Sequence, residues 1–145
     1  MRALAIAALS VLLTAGMLLA QGAETTEQKP ALPFSPAVKA LGLVFVSGQI
    51  GADAASGKME PEFRAQVRQA LENIKAILEA NGTTMDKVVK TTVFLADIGY
   101  FTTMNEEYTK FFPGAKPARS TVAVAGLARG ALVEIEAIAV EGQSK

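Results

Sequence analysis

The 145-residue sequence contains no cysteine and no histidine, and its fourteen basic residues are balanced by fourteen acidic ones. The two missing residue types exclude a disulfide, a thiol nucleophile, a Ser-His-Asp triad and a zinc site built on cysteine or histidine. A formal net charge of zero, without a basic run, argues against nucleic acid or an anionic membrane surface as the main partner. Chemistry is thereby restricted to carboxylates, arginine, lysine, hydroxyls and backbone amides. A single domain is expected at this length.

Two stretches near the C-terminus concentrate those groups: Pro117-Ala118-Arg119-Ser120-Thr121 and Val133-Glu134-Ile135-Glu136. The first leads into an apolar strand over 120–125. The second lies in a strand over 131–140, with Ala131, Val133, Ile135, Ala137 and Ala139 on one face. Glu134 and Glu136 share the other face, ~7 Å apart at ~3.3 Å per residue. An ionised carboxylate on so apolar a strand is costly to bury unless paired. Gly126-Leu-Ala-Arg-Gly130 has turn chemistry, so a hairpin is expected, with arginine and carboxylate on adjacent strands. Arg119 with a glutamate is then either a polar site or a structural ion pair at a sheet edge or subunit interface.

From the N-terminus, Arg2 precedes an uncharged, mostly apolar run over 3–20, followed by small residues suited to cleavage after Ala20 or Gly22. Residues 1–23 therefore read as a secretory signal peptide, placing the mature protein in the periplasm or outside the cell. An uncleaved leader would be the only membrane attachment. Residues 24–36 read as a linker and irregular edge segment, and 37–145 as the single domain. Leu43–Val46 is a short strand running into Ser47-Gly48-Gln49, where the glycine marks a bulge or a close approach by a backbone or ligand. Phe63, Val67, Ala70, Leu71, Ile74, Ile77 and Leu78 form a helical stripe ended by Asn81-Gly82. Arg68 with Glu72, and Lys75 with Glu79, are expected as exposed pairs four apart. Residues 88–97 alternate as a strand, and 101–112 return to helical spacing with a core-facing aromatic stripe. The order predicts an α+β fold with two helices packed on one face of a mixed or mostly antiparallel sheet.

Taken together, Ser47-Gly48-Gln49-Ile50, Lys90-Thr91-Thr92-Val93-Phe94, Asn105 with Tyr108 and Phe111-Phe112, Pro117-Ala118-Arg119-Ser120 and Val133–Ala139 resemble the Rid (YjgF) family of imine and enamine deaminases. The resemblance runs from about Pro33 to Val140. It implies a chorismate-mutase-like (YjgF) fold and a homotrimer with clefts between subunits. It further implies cofactor-free hydrolysis of 2-imino acids and their enamine tautomers to 2-oxo acids and ammonia, of the 2-iminobutanoate/2-iminopropanoate type. On that basis Arg119 grips the substrate carboxylate with its two-pronged donor, and Glu134 positions or activates water and shuttles protons. Ser47, Gly48 and Thr121 supply orienting hydrogen bonds, largely from the backbone, and Asn105 is a polar pocket residue. Glu136 is supportive.

Two departures from the family pattern stand out. Ser35-Pro36-Ala37 occupies the place of a Gly-Pro-Tyr segment, so Ala37 is expected to enlarge the pocket. Thr121 stands where a cysteine is frequent. Two other readings remain beside the enzyme: a non-catalytic module that holds small carboxylates such as 2-oxo acids through Arg119, and a structural or holdase-like trimer. A nuclease finds little support in a neutral chain without a basic patch.

Overall fold

A computed structural model describes residues 33–142. The expected leader at 1–23, and the linker up to Leu32, lie outside the described residues. Five strands and two helices follow in the order β1 (Ala37–Ala40), β2 (Leu43–Ile50), α1 (Phe63–Ala80), β3 (Val88–Leu95), α2 (Phe101–Phe111), β4 (Ala118–Ala123) and β5 (Val133–Val140). They form one sheet in the order β1-β2-β5-β3-β4, in which β3 and β4 are parallel and every other neighbour pair is antiparallel. The expectation of an α+β fold with both helices on one face of a mixed sheet is met.

Alternation along the strands sets the two faces. Val44 and Val46 of β2, Thr91, Val93 and Leu95 of β3, and Val133, Ile135, Ala137 and Ala139 of β5 are buried on the helix side. The α1 stripe of Val67, Ala70, Leu71, Ile74 and Leu78 covers them, and Met104, Tyr108 and Phe112 extend the cover from α2. Full burial of a side chain such as Leu71 or Ile74 contributes about 1.5–3 kcal/mol. The other face stays open and carries exposed apolar residues, with Val38 54%, Phe45 39% and Val122 45% accessible.

Three sequence expectations need correction. The strands flanking residues 126–130 form no hairpin: β5 runs between β2 and β3, while β4 sits at the edge beside β3. β5 is apolar enough on the helix side to occupy the centre, and the parallel β3-α2-β4 unit needs a helical crossover, which α2 provides. Strand β1 was not anticipated, because only four residues follow Pro36 and three of them are exposed. Its two-residue turn is Leu41-Gly42, with φ of 55° and 75°, in place of an Asn-Gly signature.

The helix charges also pair otherwise than expected. Arg64 and Arg68 reach across to α2, where Arg64 lies 2.6 Å from Glu106 and Arg68 lies 3.6 Å from Glu107. Lys75 pairs instead with Glu72, three residues back, at 3.8 Å. The Glu107 side chain is only 3% exposed, and Lys110 donates to its Oε1 at 2.9 Å. That ammonium holds the Glu107 carboxyl below its ordinary value of 4.5, against the opposing effect of burial.

A carboxyl whose pKa is lower in the folded chain stabilises the fold above the unfolded value, and this contribution is lost as pH falls through the folded one. Wild-type stability should therefore drop below about pH 4.5. Glu107→Gln should cost about 1–3 kcal/mol at pH 7 and flatten that drop. Urea unfolding at pH 7 and at pH 3.5 reads both, and parallel pH profiles for the two proteins would refute the assignment.

Candidate functional site

Register determines where the two candidate charges point. Arg119 on β4 lies opposite Thr91, and Glu134 on β5 lies opposite Phe94. Thr91 is buried on the helix side, whereas Phe94, three positions on, faces the open side. Cross-strand partners share a face, so Arg119 and Glu134 lie on opposite faces of the sheet. They are also one strand further apart than expected, with β3 between them. Within one protomer, the residues proposed from sequence fall into two half-sites.

The first half-site is built on β4 and α2. Arg119 Nη2 donates to Asn105 Oδ1 at 2.6 Å, and Nη1 lies 3.9 Å from Met104 Sδ. The guanidinium carbon sits 4.6 Å from the Tyr108 ring centroid and 5.8 Å from that of Phe101. Phe101, Met104, Asn105 and Tyr108 follow i, i+3, i+4, i+7 spacing, so one helix face forms the cradle. Tyr108 OH and Thr91 Oγ1 form a buried hydrogen bond of 2.7 Å. Burial pushes the Tyr108 phenol pKa up, so the ring stays neutral.

Arg119 is half-buried and forms no ion pair among the described residues. Thr121 lies two residues along β4 on the same face, and its buried hydroxyl has no hydrogen-bond partner within the protomer. The arrangement is a cation held over aromatic rings and beside a thioether, with donors left over for a planar anion.

The second half-site lies where β2 meets β5. The pairing shifts register between Val46 and Gln49, so Ser47 and Gly48 form a bulge. A Cβ on Gly48 would lie within 1.9 Å of Glu134 Oε1, so the glycine admits the carboxylate against the β2 backbone. Both readings of that glycine, a bulge and a close approach, are therefore realised together. Glu134 is half-buried and, among the described residues, has no ion-pair partner. Ser47 is engaged elsewhere, since its N–H and its hydroxyl both donate to the Pro36 carbonyl, at 3.0 and 3.1 Å. Within the protomer Ser47 therefore pins the segment entering β1. Glu136 faces the same open side and is exposed.

The expectation attached to Ala37 also changes. Ala37 pairs with Val46 and packs against the helix-side core, so a larger residue there would crowd the core rather than line a cleft beside Glu134. The aromatic ring near this edge is Phe34, which is 55% exposed. Tyr108, Met104 and Phe101 were read from sequence only as a core stripe. The signal that could have marked them is Asn105 interrupting that stripe.

The family model described as Endoribonuclease L-PSP matches residues 25–141. The chain belongs to this family, the Rid (YjgF) family. The 2-iminobutanoate/2-iminopropanoate deaminase of Mus musculus is 47% identical over 120 residues, spanning 81% of this chain and 89% of that one. Among solved structures, the YjgF gene product of E. coli superposes with a TM-score of 0.72 at 42% identity, covering 74% of this chain and 87% of that one. E. coli TdcF with bound serine gives 0.74 at 39% identity, covering 77% and 91%. This Rid-family chain thus shares its fold with a protein crystallised around a small amino acid, as well as its sequence with a named deaminase.

Gly48→Ala should leave the Rid fold intact while forcing the Glu134 carboxylate off the β2 backbone. The crystal structure of the variant reads this directly, and an unmoved Glu134 would count against the close packing described.

Proposed function

We propose that the protein hydrolyses 2-imino acids and their enamine tautomers to 2-oxo acids and ammonia without a cofactor, in sites formed between copies of the chain. The observation that carries this reading is Arg119: a half-buried guanidinium, oriented by Asn105, with no carboxylate of its own among the described residues. Burying a cation without a counter-charge is unfavourable, and a substrate carboxylate supplies one in the bidentate geometry arginine suits. The deaminase name of the mouse relative supports the reaction class.

Glu134 then acts on the substrate carbon held by a neighbouring protomer's Arg119. It accepts a proton from a water that attacks the C=N carbon, giving a carbinolamine, and returns the proton to nitrogen. Glu134 then relays the carbinolamine O–H proton to the same nitrogen, so that the C=O bond forms as the C–N bond breaks and ammonia leaves. Asn105 keeps the guanidinium in register, and Thr121 offers a hydroxyl beside it. The open sheet face, with its exposed Val38, Phe45 and Val122, favours cover by further copies, and a homotrimer accords with the family resemblance.

The test generates 2-imino acids in situ with an amino-acid oxidase and follows their decay. Wild type should accelerate the decay, and Arg119→Ala and Glu134→Gln should each abolish the acceleration. Co-expressing the two variants as mixed oligomers should restore about one quarter of it, because one site in four then pairs an intact arginine with an intact glutamate across the interface. No recovery would reject the shared site, and no acceleration by wild type would reject the enzyme.

The same reading takes residues 1–23 as a leader that delivers the protein to the periplasm or medium. Mass spectrometry of the protein expressed with its leader should find a mature N-terminus near Ala23 in the exported fraction. An intact Met1 on cytoplasmic protein would refute export.

A further inference from the structure

We infer that Tyr108 is a positioning residue for Arg119, acting through its ring face, which a buried hydroxyl pair with Thr91 locks in place; this rests on the reading of Arg119 as the carboxylate holder. Three contacts close a loop. Thr91 and Arg119 are direct register partners on β3 and β4. Thr91 Oγ1 bonds Tyr108 OH at 2.7 Å. The Tyr108 ring lies 4.6 Å from the Arg119 guanidinium carbon. The strand pair that presents the arginine therefore also anchors the surface on which its guanidinium rests. Phe112 closes the ring's surroundings, with centroids 4.6 Å apart and planes at 35°.

This geometry has a consequence for binding. Arginine is long and flexible, and a ligand that must first order it binds more weakly. A ring beneath the guanidinium restricts that freedom before the ligand arrives. The guanidinium carbon sits over the ring, and the N–H donors other than the one on Asn105 are left for a carboxylate. Tyr108 itself is 4% exposed and meets no ligand, so its effect passes through Arg119.

The probe is 2-oxobutanoate, bound to the full-length oligomer and read by calorimetry, alongside turnover of 2-iminobutanoate. Tyr108→Leu should weaken 2-oxobutanoate binding and raise KM by about tenfold or more, with kcat changed less, since binding of the carboxylate is what degrades. Tyr108→Phe keeps the ring and should stay within about threefold of wild type, most closely when combined with Thr91→Val, which removes the orphaned hydroxyl. A folded Tyr108→Leu oligomer with wild-type affinity would overturn the inference, as would equal losses for Leu and Phe.

A second measurement does not depend on a variant folding. The Arg119 Hε resonance should be shifted upfield by the ring current in the wild-type protein, and an unshifted resonance would overturn the inference. If wild type neither binds 2-oxobutanoate nor consumes imine, it is the function proposed for Arg119 that fails, and the Hε resonance still decides the placement of Tyr108.

Discussion

The placement of β5 between β2 and β3 is the constraint on which the rest of the molecule depends. A strand shows alternate residues to alternate faces. Once Val133, Ile135, Ala137 and Ala139 are committed to the helices, Glu134 and Glu136 are committed to the open face. A slip of one residue would bury both carboxylates and expose four apolar side chains, a cost far above the few kcal/mol by which folds are stable. The same register brings Glu134 against Gly48 and leaves β4 at the edge, where Arg119 turns toward α2. Core packing and placement of the polar groups are one decision, taken by one strand.

The three acidic residues at issue show how burial separates structural charge from charge available for chemistry. Glu107 is almost wholly buried and is ringed by Lys110, Arg64 and Arg68, the arrangement a buried carboxylate requires. Removing it would strand cations that already reach solvent, so its role is to tie α1 to α2. Glu134 is half-buried and, among the described residues, lacks such a partner, while Glu136 is exposed. Arg119 is the cationic counterpart of Glu134, since aromatic faces and an amide hold it where a carboxylate would be expected. Unpaired charges of opposite sign on opposite faces do not stabilise one another, which speaks against a structural ion pair between them within one protomer.

Much of this was legible in the sequence because its signals are local. The 3.6-residue stripe of α1, the alternation of β3 and β5, and the apolar run into Ser47-Gly48 each follow from side-chain periodicity. What failed was non-local. Turn residues at 126–130 suggest a hairpin, but strand partners are chosen by which faces must be buried, and β5 was more apolar than an edge requires. β1 was hidden because a four-residue edge strand with three exposed side chains carries almost no alternation. Short-motif matching points Ala37 to a pocket, and its pairing with Val46 packs it against the core instead. Arg119 and Glu134 were identified as candidate site residues without any means of knowing which face each would take.

A sheet with the side-chain layer on one face occupies roughly 10 Å, and a four-carbon imino acid cannot reach through it from an arginine under α2 to a glutamate on the open side. A reaction that needs both groups on one substrate therefore needs two chains, each lending one half-site. The open face supplies a reason for the chains to meet, because its exposed valines and phenylalanine gain from being covered. On the proposed reading, assembly and catalysis share a surface, and a monomer of this protein would hold carboxylates through Arg119 without being able to hydrolyse what it holds.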